Sequence, residues 1–100
     1  METMNLTTFK STLIDATPPD TLGGPLAALW LDANCDWPAA HRAVQDDDSS
    51  DGAWVHAYLH RKEGDASNAA YWYRRAGKPI SNGTLEEEWE SMANALLNRG

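Results

Sequence analysis

Tyr58-Leu59-His60-Arg61-Lys62-Glu63-Gly64-Asp65-Ala66-Ser67-Asn68-Ala69-Ala70-Tyr71-Trp72-Tyr73-Arg74-Arg75-Ala76-Gly77 is the stretch that decides the fold. Gly64 is the residue expected where a helix stops in the left-handed conformation. Asp65 then offers a side-chain acceptor to the free N–H groups of a new helix. That helix is predicted over residues 66–76, and Gly77 with Pro79 ends it. Upstream, residues 53–63 read as its partner helix. The pair is a helical hairpin.

Working outward, the same pattern recurs. Shifted by 29 residues, Ala28 falls on Ala57, Cys35 on Gly64, Asp36 on Asp65, Ala40 on Ala69 and Val44 on Tyr73. This predicts a first hairpin over residues 25–45, with Pro25 in the first turn of one helix and Asp36 capping the next. The acidic loop 46–52 separates the hairpins, with Ser50 or Asp51 as the expected cap of the following helix. Asp47, Ser49, Asp51 and Gly52 imitate the start of a calcium loop. The twelfth position, which needs a bidentate Glu, is Tyr58. Thr84-Leu85-Glu86-Glu87 is a capping box that opens a last helix over 84–99. Leu85, Trp89, Met92 and Leu96 form one helical stripe along it. In front, residues 1–24 form a separate N-terminal segment with a short helix over 7–16, Phe9, Leu13 and Ile14 on one side. No stretch alternates as a half-buried strand does. The chain reads as all-α: two stacked antiparallel helical hairpins, 25–45 and 53–76, with a C-terminal capping helix.

The segment around Gly64, Asp65, Ala69, Tyr73 and Ala76 resembles a tetratricopeptide or Sel1-like repeat. Those families place Gly-Asp or Gly-Asn at the hairpin turn, then Ala, an aromatic and Ala at spacings of four and three. The run from Ala70 to Ala76 is similar to the second helix of a Sel1-like unit. The pattern departs from the family in the first helix, where His56 and His60 stand at places that are usually apolar. The chain also resembles small proteins sharing the His60-to-Asp65 core, to which no function attaches. The family resemblance implies a two-repeat scaffold that binds a protein or peptide.

Composition bounds the function. The chain has 100 residues, 42% of them hydrophobic, and a formal net charge of −7. One core fits that length. An acidic balance lacks the basic footprint that nucleic acid requires. The longest apolar run, residues 26–31, is far below a membrane span. Met1-Glu2-Thr3-Met4 carries an acid where a signal peptide needs positive charge, so a cytoplasmic location is expected. The single cysteine, Cys35, excludes an intrachain disulfide and a Cys-rich zinc site. Residues 1–50 carry a net −6 and residues 51–100 a net −1, an asymmetry that can complement a charged partner or a second copy of the chain.

Two constellations carry chemistry. His56 and His60 stand one helical turn apart, and His41 on the preceding helix can supply a third nitrogen, with Glu63 near the same face. This set fits a divalent transition metal such as Zn, Ni or non-haem Fe. Position 57 is Ala, so the Glu that follows the first His of a metalloprotease helix is missing. The competing reading is three separate histidines, each bonded to an Asp or a carbonyl. The second constellation is a partner-binding surface of Trp54, His56, Tyr58, His60 and Glu63 along the first helix of the second hairpin. Arg61, Tyr71, Arg74 and Arg75 lie at its margins. Here Trp72 and Tyr73 are expected inside, with Tyr71 at the surface.

Three functions follow. The first is a non-enzymatic protein- or peptide-binding module that needs no cofactor. The second is a metal-dependent hydrolase, oxygenase or sensor using His41, His56 and His60. The third is an assembly protein whose partner is itself, as a homodimer. The first is the reading the sequence favours. Convergence of the three imidazoles is what separates the second from it.

Overall fold

The computed structural model describes residues 4–98. The first three residues and the end of the expected 84–99 helix lie outside them. Six α-helices follow in order: α1 Leu6–Ser11, α2 Gly24–Ala33, α3 Trp37–Val44, α4 Ser50–Glu63, α5 Ala66–Ala76 and α6 Leu85–Leu97, with a 3-10 turn at Thr12–Ile14 after α1. Among the described residues there is no strand, and no helix is long and apolar enough to cross a membrane. The radius of gyration, 12.6 Å, is near the roughly 13 Å of a packed 100-residue domain.

Helix ends are set by local chemistry. Asp36 caps α3 by accepting from Ala39 N (3.1 Å), and Asp65 caps α5 by accepting from Asn68 N (3.2 Å). Thr84 and Glu87 close a reciprocal capping box on α6, at 2.9 and 3.0 Å. Glu86, Glu87 and Glu88 sit in that first turn, where the helix dipole favours anions.

The two turns that begin the repeat pattern match bond for bond. Asp36 N donates to Leu31 O (3.0 Å), as Asp65 N donates to His60 O (2.9 Å). Cys35 N donates to Asp32 O, as Gly64 N donates to Arg61 O. Gly64 has φ +92°, and Cys35 adopts +64° without being glycine. A left-handed residue with a Cβ costs about 1–2 kcal/mol, so the turn geometry prevails over residue preference at position 35. The pairs Ala28 and Ala57, Ala40 and Ala69, Val44 and Tyr73 are all buried.

Two expectations need correction. The helix expected over 53–63 begins at Ser50, and its cap is Ser49, which accepts from Gly52 N (3.0 Å), rather than Ser50 or Asp51. Asp47 supports this start by accepting from Ser49 N (2.9 Å). A Cβ on Gly52 would lie 2.4 Å from Asp47 Cγ, so the glycine admits the Asp47 side chain rather than breaking the helix. The helix expected over 7–16 stops at Ser11 and tightens into the 3-10 turn. The Ser11 and Thr12 hydroxyls donate to the carbonyls of Thr8 and Phe9, competing with the backbone ladder. Ile14, expected beside Phe9, is 91% exposed.

Phe9 joins the main core and stacks on Trp89, with ring centres 5.7 Å apart. The N-terminal segment therefore packs on α6. Helix α4 is the centre of the molecule: α2, α3, α5 and α6 all pack against it. Its inner face builds the main core through Val55, Tyr58 and Leu59, and Ala57 joins Ala69 and Tyr73 of α5 in a second cluster.

Candidate metal site

With four helices around it, α4 buries polar side chains on more than one face. His56 and His60, spaced by four, lie one turn apart and are 4% and 7% exposed. His41 comes from the last turn of α3 and is half-buried. Its Nε2 stands 3.1 Å from His56 Nε2. One ring nitrogen from each of the three histidines lies within 4.8 Å of the others. Tetrahedral ligands at about 2.0–2.1 Å from a metal stand roughly 3.4 Å apart. The His41–His56 separation is near that value, and no separation in the group exceeds 4.8 Å.

Aromatic rings wall the cluster. Trp37 stacks on His41 at 5.0 Å and 9°, and Trp72 of α5 stacks on His56 at 3.9 Å and 12°. Trp37 is itself anchored, its Nε1–H donating to the Leu59 carbonyl of α4 at 2.8 Å. On the outer side of His60, Nδ1 meets Glu63 Oε1 at 2.6 Å. An ionised carboxylate only accepts, so Nδ1 carries the proton and a neutral His60 keeps its lone pair on Nε2. Glu63 is thus a partner of a histidine and lies outside the three-histidine group. With Asp65 it forms a second group of possible ligands around His60.

The electrostatics favour the neutral form of His41 and His56. Burial, reinforced by His60 and His41, pushes His56 down to about 4. Burial and His60 lower His41, against a smaller opposing effect of Glu63. Neutral imidazole is the form that binds metals. His56 Nδ1 is buried with no hydrogen-bond partner. Two Nε2 atoms at 3.1 Å need one proton between them. If His56 gives it, its Nδ1 is a bare buried acceptor; if His41 gives it, His56 Nδ1–H is a buried donor. Either leaves a polar atom whose desolvation costs about 1–3 kcal/mol.

The remaining residues of the expected partner surface are dispersed. Tyr58 is 3% exposed, and its hydroxyl donates to Asp32 Oδ2 at 2.9 Å. Arg61 donates to Glu88 Oε1 at 2.8 Å and also reaches the Gly83 carbonyl. The shallow groove expected along this helix is therefore not displayed: α4 turns His56, Tyr58 and His60 inward, because neighbouring helices cover it. Trp54 is half-buried, with the Lys78 ammonium 4.4 Å from its ring centre. Tyr71, Arg74 and Arg75 are exposed, and Arg75 lies over the rings of Tyr71 and Trp72. Trp72, expected inside, is half-buried, while Tyr73 is buried.

Two buried carboxylates went unnoticed in the sequence. Asp32 takes Tyr58 and Lys62, the latter at 2.9 Å. Glu88 takes Arg61 and Tyr73, whose hydroxyl donates at 2.5 Å. Asp32 stood out as the one acid at the end of an apolar run, which was the available signal. Glu88 sits among other acids and gave none. Asp32 also lines a cleft of about 340 Å³ between α1, α2, α4 and α6, where its oxygens are already paired. No protein-family model, curated protein or solved structure matches the chain.

Proposed function

We propose that this chain is a helical metal-binding protein that holds one divalent transition-metal ion between His41, His56 and His60. The observation that carries the reading is convergence: one ring nitrogen from each of three imidazoles, on two helices, lies within 4.8 Å of the others. Borderline ions such as Zn²⁺, Cu²⁺ or Ni²⁺ suit an all-imidazole donor set, and Mg²⁺ or Ca²⁺ do not. The test is the metal content of tag-free protein, followed by calorimetric titration with Zn²⁺. One equivalent is expected, lost in His41→Ala, whose half-buried position spares the core. An absence of binding in the intact chain withdraws the reading.

A second reading keeps the protein- or peptide-binding module, in its monomeric or homodimeric form. It is favoured by the turn bonds repeated 29 residues apart, which support the tetratricopeptide or Sel1-like resemblance and the hairpin arrangement that goes with it. The surface left for it is Tyr71, Arg74 and Arg75 beside Trp72, since Tyr58 is buried and Arg61 is paired with Glu88. Loss of partner capture on Arg74→Glu with Arg75→Glu, with the fold intact, supports it; unchanged capture removes these residues. A cytoplasmic setting belongs to either reading.

A further inference from the structure

We infer that the three-histidine site leaves its metal one open coordination position, and that this position takes a small monovalent anion: hydroxide or a small carboxylate. The inference rests on the metal-binding reading above and adds what the ion does once bound. It follows from charge. Three neutral imidazoles bring no negative charge to a divalent ion. Trp37 and Trp72 flank the site with apolar rings, so the ion keeps most of its charge in a poorly solvated place.

The nearest carboxylate does not neutralise it directly. Glu63 is held on the outer nitrogen of His60, where it orients the ring rather than entering the cluster. Asp65 is engaged as the cap of α5, accepting from Asn68 N. Glu63 and Asp65 group with His60 alone, apart from His41 and His56, so the three-histidine group offers three nitrogens and a tetrahedral ion needs a fourth ligand. His41 is the half-buried member, so the fourth ligand enters from its side. An anion there satisfies both the geometry and the charge. A closed structural site would have four protein ligands. A three-nitrogen site with an exchangeable fourth ligand is the arrangement that lets a metal activate water or hold a substrate carboxylate.

The experiment uses Co²⁺, whose visible absorption reports coordination. The tag-free chain is loaded with one equivalent of Co²⁺ and titrated with azide and, separately, with acetate. A saturable change in the visible bands with either anion, reversed by dilution, is expected. Glu63→Ala should bind Co²⁺ about 10–100-fold more weakly while keeping the anion response, since it loses only the partner of His60. If Co²⁺ binds but its spectrum ignores both anions, the site is closed; the open-position inference fails and the metal-binding reading stands. If Co²⁺ does not bind at all, the metal-binding reading fails and takes this inference with it.

Discussion

Helix α4 makes polar contacts with the helices around it in two different ways. Toward α2 and α6, Tyr58, Arg61 and Lys62 meet Asp32 and Glu88, and each carboxylate ends with two protein donors. Toward α3 and α5, His56 and His60 meet His41 and Trp72, and one ring nitrogen ends with none. The first set is closed on itself and explains itself as architecture. The second is not, and a buried polar atom without a partner is rare enough in folded proteins to need a reason. The difference separates a structural polar network from a candidate binding site within one helix.

The largest effect should come from opening the closed set. Arg61→Ala leaves the Glu88 carboxylate, 6% exposed, with Tyr73 alone. Removing one partner of a buried ion pair costs about 3–5 kcal/mol, and the partial exposure of Arg61 places this case near 3. Urea denaturation measures it. A loss below about 1 kcal/mol would mean that the carboxylate is solvated and the set is not closed. Tyr58→Phe removes one of the two donors to Asp32 and should cost about 1–2 kcal/mol, with Lys62 still in place. No change in that variant would show that the Lys62 ammonium alone satisfies Asp32.

Acid should act on the other side. In metal-free protein, His56 is held down at about 4 while the unfolded chain keeps the ordinary 6.5. The unfolded state therefore binds a proton first as the pH falls. Stability should be flat above about pH 7 and decline between about 6.5 and 4. A series of urea midpoints across this window checks it, with His56→Leu as the control that removes the decline due to His56. A slope unchanged in the variant would assign the acid sensitivity elsewhere.

The fold was legible where the signal was local. Gly64, Gly77, Asp36, Asp65 and Thr84 mark helix ends through bonds made within a few residues, and the structure has helix ends at each. The spacing of His56 and His60 likewise placed them on one side of a helix. What the sequence did not convey depends on which helix packs on which. Tyr58 and Arg61 looked like surface residues because their carboxylate partners are 26 and 27 positions away. Trp72 looked like simple core, yet it is half-buried and its ring lies flat on His56. Gly52 was read as the last residue of the loop 46–52, and only the position of Asp47 shows why a side chain has no room there.

The smallest stability effect is also the sharpest test of the comparison. His56→Leu keeps an apolar surface against Trp72 and removes the unsatisfied nitrogen together with the whole imidazole. The change costs the bond to His41 Nε2, but His41 is half-buried and turns to water, while the unpartnered Nδ1 leaves the interior, so the two effects oppose each other. The metal-free variant should therefore melt within about 1 kcal/mol of the parent, whereas the comparable change at the closed set, Arg61→Ala, costs about 3. Zn²⁺, which raises the parent's melting temperature by mass action, should leave the variant unmoved. Stability gained and metal response lost would mean that the imidazole is retained at a cost the fold does not require. A loss of several kcal/mol in the metal-free variant would mean the opposite: the histidines hold the helices together as the carboxylates do, and the contrast between the two sides of α4 disappears.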